Sequence, residues 1–203
     1  MKTNLLGFIA CVAMLGATAA AKASPFIETL DQVGANVVAT GSGQIDLTGT
    51  TFVVSVGPDG GLIDPVDDYT LIGATGSIDL YVPASGFSGP SGYGTGGPTG
   101  SSSGSGDLVG LTVFESILFV PAGYSSNTSL SNGATWDNAT FASLGATPGI
   151  YVWTWGNEID QSFTLAIEAT PLPAALPLFA TGLGALGLFG WRRKRKNIAA
   201  IAA

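Results

Sequence analysis

Gly149-Ile150-Tyr151-Val152-Trp153-Thr154-Trp155 and, after a short turn, Gln161-Ser162-Phe163-Thr164-Leu165-Ala166-Ile167-Glu168 decide the fold class of this chain. Both runs alternate, with Phe163, Leu165 and Ile167 on one face of the second, which is the period of a half-buried strand. Gly156 to Asp160 supplies the turn between them, so the pair predicts a β-hairpin. Working outward, Thr50 to Val56 is rich in β-branched residues. Ser77 to Val82 places Ile78, Leu80 and Val82 on one face, and Leu108 to Val120 reads as a long apolar strand. No stretch between these carries a sustained helical period. The expectation is therefore an all-β body, a single β-sandwich of jelly-roll type.

Residues 86–106 interrupt the strands with Gly, Ser, Pro and Thr, a composition too poor in apolar groups to hold a fixed shape by burial. Such a run is either a linker between two domains or a long loop in one. The flanking halves, about 65 residues each, are near the lower limit for independent cores, so a flexible loop is expected.

Charge narrows the function classes. All 14 acidic residues lie between Ser24 and Pro173, and that stretch holds no Lys, Arg or His. The body has no group with which to neutralise phosphates, so nucleic acid is excluded as a partner. Anionic lipid or acidic polysaccharide is disfavoured by the same argument. Acid-base and nucleophilic chemistry is left with carboxylates, hydroxyls and Tyr, which points away from an enzyme and from a resident cofactor. A carboxylate-only glycosidase would need two acids about 5 to 9.5 Å apart in a cleft.

Two groups of residues stand out as candidate sites. Tyr151, Trp153 and Trp155 share a strand face and Trp136 is near in sequence; a flat aromatic strip suits sugar rings, which would make the body a carbohydrate-binding module. The competing reading, which we take, is that these rings fill the core while Ile150, Val152 and Thr154 face outward. Asp59, Asp64, Asp67 and Asp68 fall in one Gly-containing loop and offer oxygen ligands to Ca²⁺, but at no recognised calcium-loop spacing. Solvated turn residues are the reading we take there.

The ends of the chain are address labels. Met1-Lys2, the apolar run Leu5 to Ala20 and Ala21-Lys22-Ala23 compose a secretory signal peptide, residues 1–23, cut after Ala23. The competing reading is a retained anchor. The one cysteine, Cys11, leaves with the signal, so the exported body has no thiol and no disulfide. At the other end come Pro171-Leu172-Pro173-Ala174, an uncharged run from Ala174 to Trp191, and Arg192-Arg193-Lys194-Arg195-Lys196, followed by a tail at 197–203. At about 1.5 Å per residue the apolar run is at the short end for a spanning helix, and basic residues after it hold that end in the cytoplasm.

In this order the three parts of the tail, residues 170–196, resemble the VPLPA variant of the PEP-CTERM protein-sorting domain, with Thr170 where the motif has Val. The resemblance implies an exported protein of a Gram-negative bacterium. It would meet a signal peptidase, rest in the inner membrane, and be recognised by an exosortase, a protease-transpeptidase that cuts near the proline motif. The destination implied is the cell surface or extracellular matrix, where envelope polysaccharide is a further partner. The run Gly133 to Gly145, with Thr147 to Gly156 and Gln161 to Leu165, is similar to the end of small exported β-domains that carry such tails. That similarity implies a β-fold for residues 24–169 and no active site.

Overall fold

In the computed structural model, residues 24–158 and 160–168 are described. The hairpin anticipated from the alternating runs is present. Its strands pair antiparallel with Gly149 opposite Ile167 and Trp153 opposite Phe163, and Phe163, Leu165 and Ile167 are buried. In chain order the elements are β1 (Phe26–Val33), β2 (Asn36–Gln44), β3 (Thr50–Asp59), β4 (Leu62–Asp64), β5 (Tyr69–Ile72), β6 (Gly76–Pro83) and β7 (Thr99–Gly100). There follow β8 (Ser103–Gly106), β9 (Val109–Thr112), β10 (Ile117–Pro121), β11 (Ser129–Trp136), a single helical turn α1 (Phe141–Leu144), β12 (Gly149–Thr154) and β13 (Ser162–Glu168).

The strands form two sheets, ordered β12-β13-β1-β2-β11-β8 and β3-β6-β10-β9-β5-β4-β7. One core joins them: Phe26, Leu30, Val37, Trp153 and Phe163 of the first sheet meet Ile63, Ile72, Leu111 and Leu118 of the second. Alternation explains which side chains enter it, since every second residue of a strand faces the partner sheet. β1 and β13 run parallel, Phe26 opposite Phe163 through Asp31 opposite Glu168. The chain thus enters the first sheet at one end and leaves it at the other.

Two expectations need correction. The run Leu108 to Val120 is not one strand but a hairpin, β9 and β10, turning at Val113 to Ser116, where Ser116 adopts φ 55° and its N–H donates to Val113 O at 3.1 Å. Glu115 and Ser116 are the polar break in the apolar run. Residues 86–106 are not a flexible loop either: they contribute β7 to one sheet and β8 to the other and bury Tyr93 to 1% exposure. Glycine makes this possible by close approach. A Cβ on Gly94 would sit 1.9 Å from Gly145 O, and one on Gly96 1.9 Å from Leu144 O. The segment is held by close backbone contact as well as by the burial of Tyr93 in the core.

β3 is an edge strand, exposed from Thr51 to Asp59, with its ladder to β6 interrupted after Phe52 and again after Val56. Such bulges disfavour the addition of a further strand.

Trp153 lies at the centre of the core, its ring 6.2 Å from Phe163 and 6.4 Å from Tyr93. Trp153→Ala should cost about 3 to 5 kcal/mol by opening a cavity, whereas Ile150→Ala, on a side chain 76% exposed, should cost less than about 1 kcal/mol. Denaturant titration of both variants checks this; equal midpoints would contradict the assigned faces.

Candidate functional site

The aromatic strip does not offer a platform to sugar. Trp153, Trp155 and Trp136 are 0%, 1% and 2% exposed, and their indole N–H groups donate to Pro90 O at 3.0 Å, Asp46 O at 2.9 Å and Thr99 O at 3.2 Å. Tyr151 is half-buried and stacks on Trp153 at 6.3 Å and 17°. Ring faces covered by protein cannot stack on a ligand, so the three indoles follow the core reading taken from the sequence, and Tyr151 alone of the four keeps partial exposure. The opposite face of β12 carries Ile150 and Val152 outward.

The four aspartates are divided. Asp59, exposed, caps its own turn by accepting from Gly60 N at 2.8 Å. Asp68 turns inward and is 1% exposed, Asp64 is 8% exposed, and Asp67 faces solvent. The solvated-turn reading holds for Asp59 and Asp67 and is overturned for Asp64 and Asp68, whose side chains are buried; among the described residues no three His, Cys, Asp or Glu side chains converge as a metal set.

Asp68 belongs instead to an interior acidic group that composition alone does not reveal. Glu28, at the middle of β1, is fully buried; Thr70 Oγ1 donates to its Oε1 at 2.9 Å and Oε2 has no hydrogen-bond partner. Burial pushes the Glu28 carboxyl up to about 8, against the smaller pull of Thr70. Burial likewise pushes Asp68 up to about 6, opposed only by the nearby Trp153 indole. Both Asp68 oxygens lack a hydrogen-bond partner. Between these groups lies Tyr93, whose hydroxyl donates to Tyr69 O at 2.6 Å. Its ionisation is driven well upward by burial and then by Glu28, Asp64 and Asp68.

The open site lies at the end of the second sheet, where β4 and β5 meet the β9–β10 turn. The pairing of Tyr69 with Thr112 brings these segments into one groove of about 280 Å³. Leu62, Asp64, Asp67, Tyr69, Thr112, Phe114 and Glu115 line it. Tyr69 packs on Phe119 at 5.3 Å, which fixes its ring. Its hydroxyl is pushed up to about 12 by burial, then by Asp59 and Glu115, a sign of the negative field there. Phe114 is 79% exposed. The groove therefore presents acceptors, an unburied aromatic face and no cation. Asp64 and Asp67 were singled out in the sequence; Tyr69, Thr112, Phe114 and Glu115 were not, because only the sheet pairing brings them beside the aspartates. Their one linear signal is the Glu115-Ser116 interruption.

No family model, no curated protein and no solved structure matches this chain.

The interior acids make stability depend on pH. Glu28 and Asp68 have folded pKa values above those of the unfolded chain, so the fold binds extra protons. Their stabilising contribution is complete below about pH 4 and is lost as pH rises through about 6 and then about 8. The unfolding free energy should fall between pH 5 and pH 8.5, by an amount on the order of several kcal/mol for Glu28, and the melting midpoint should fall with it. Glu28→Gln should flatten the upper half of that fall; a wild-type midpoint that holds steady across the range would refute the buried-acid account.

Proposed function

We propose that this chain is an exported, non-enzymatic protein whose acidic body, a β-sandwich of jelly-roll-like type, is carried to the cell surface or extracellular matrix by its C-terminal signal. The observation that carries the reading is the order of the tail: Pro171-Leu172-Pro173-Ala174, a membrane-length apolar run from Ala174 to Trp191, and the basic stop Arg192 to Lys196. Those segments, like the signal peptide, lie outside the described residues.

The boundaries of the fold support this reading. β1 begins at Phe26, three residues after the expected cut at Ala23, and β13 ends at Glu168, ahead of the proline motif. Removal of both ends leaves the parallel pairing of β1 with β13 whole. The charge distribution supports it too. With 14 acidic residues and no cationic one, the body has nothing to compete with the basic stop for retention on the cytoplasmic side. A signal peptidase and an exosortase-type enzyme are the processing partners of this scheme, with the inner membrane as the station before release. The absence of His, Cys, Lys and Arg from the body argues for a binding or structural role over catalysis.

Intact-mass measurement of the exported material should show loss of Met1–Ala23 and of the segment from about Ala174 onward. A full tail on the exported protein would leave a plain membrane anchor in place of a sorting signal. Changing Arg192 to Lys196 to Ser should reduce processing by removing the stop; unchanged processing would mean that the basic residues are not read.

A further inference from the structure

The β4–β5 turn, residues 65–68, closes against the glycine-rich segment over a carboxyl that has nothing to neutralise it. We propose that this contact is a pH-operated latch: ionisation of Asp68 releases the turn from the segment while the two sheets stay paired. The inference rests on side chains inside the described fold and is independent of how the chain is exported.

The geometry of the closed state carries it. Asp68 is 1% exposed and neither of its carboxyl oxygens has a hydrogen-bond partner. Beside it the glycine-rich segment lies directly on the turn: Tyr93 N donates to Pro65 O and Val66 N donates to Gly96 O, both at 3.0 Å. A Cβ on Gly92 would come within 3.3 Å of Pro65 O and 3.4 Å of Val66 O, so only a residue without a side chain lets the two backbones close so tightly. The groups that face Asp68 are Tyr93 of the segment with Tyr151 and Trp153 of β12; its charge helps to drive the ionisation of both phenols upward. Glu28 of β1 and Asp64 of β4 complete the set around Tyr93. None of these groups can carry a positive charge, and the body has no Lys, Arg or His. The indole N–H of Trp153 already donates to Pro90 O at 3.0 Å.

A proton is therefore what the closed latch holds in place of a partner. A carboxylate without donors is costly to keep away from water, whereas the turn is tied to the segment by two backbone hydrogen bonds and sits at the surface, with Val66 50% exposed and Asp67 facing solvent. Swinging a short turn outward hydrates Asp68 at less cost than opening a sheet. The turn is the moving part because the segment has anchors of its own: Ser88 bridges Thr154 and Gly94 bridges Ala146, and Thr95 N and Gly96 N donate to Gly145 O at 2.8 and 3.2 Å. The direction follows from linkage. Burial pushes the Asp68 carboxyl from 3.8 up to about 6, so the closed form binds the extra proton; closure is most favoured below about pH 4 and is lost as pH rises through about 6. Glu28, pushed up to about 8, still keeps its proton there.

The test is native-state hydrogen exchange on the full-length chain in mild detergent, read residue by residue by NMR at low denaturant concentrations. After correction for the intrinsic pH dependence of exchange, the opening constant at the Val66 and Tyr93 amides should rise about tenfold between pH 5 and pH 7.5. It should be insensitive to denaturant, as local opening is, while amides of the β1–β2 ladder keep the steep denaturant dependence of global unfolding. Asp68→Asn, uncharged, of the same shape and at home at φ 51°, should hold the opening constant flat with pH; Asp67→Asn should leave the rise in place. The wild-type pH series stands as a test even if Asp68→Asn does not fold. A flat wild-type profile would overturn the proposal. So would Val66 and Tyr93 amides that share the denaturant slope of the β1–β2 ladder, which would reduce the effect to global stability, or a rise that survives Asp68→Asn or vanishes in Asp67→Asn, either of which would remove Asp68 as the trigger.

Discussion

A domain that holds carboxylates but no cation has two ways to keep an acidic side chain out of water: surround it with hydroxyl and amide donors, or keep its proton. Much of the interior of this protein follows from that constraint. Asp46 takes the first course. Burial works to raise its carboxyl, but hydrogen bonds from Thr48 N at 2.9 Å, Ser126 Oγ at 3.1 Å and Asn127 Nδ2 at 3.3 Å outweigh it and hold the group below the usual range. Asp79, 7% exposed, accepts from Ser55 Oγ and from Gly123 N, and in doing so ties β3 and the segment after β10 to β6. Glu28 takes the second course, its carboxyl pushed up to about 8 by burial, and Asp68 is pushed the same way, to about 6.

Asp46 and Asp79 are thus structural ties between distant segments, while Glu28 sits where the two sheets meet. Glu28 on β1 and Thr70 on β5 form a hydrogen bond across the core from one sheet to the other. Tyr93 stands beside them with its hydroxyl on the backbone of β5, brought there by the glycine-rich segment. A buried polar network of this kind is stable only while each member keeps its proton inventory, so the packing of the core and the protonation of its acids are one property.

The glycine-rich segment shows a second economy. Its carbonyls at Pro90 and Thr99 accept the indole N–H groups of Trp153 and Trp136, which lets large rings be buried with their donors satisfied. Composition predicted disorder because apolar burial was the only stabilising term counted. The segment is held instead by polar contacts from distant side chains and by glycine backbones lying directly on α1 and its flanking loop, between Leu144 and Ala146. Neither contribution has a signature within twenty consecutive residues.

Local pattern was sufficient for the all-β class, the β12–β13 hairpin, the strands at 50 and 76, and the inward face of Tyr151, Trp153 and Trp155, because strand alternation records which side chains face a core before the core exists. It also established the charge of the body and the order of the apolar, proline-rich and basic segments at its two ends, which are linear properties. The partition of Leu108 to Val120 into two strands, the parallel union of β1 with β13, the burial of Glu28 and the groove at Phe114 were decided only by tertiary structure. Each depends on residues far apart in the chain: Glu28 meets Thr70 across 42 positions, and Phe114 reaches the aspartates because Tyr69 pairs with Thr112. A sequence states the chemistry of each residue, but the free energy of a buried acid or an exposed ring is set by neighbours that only folding supplies.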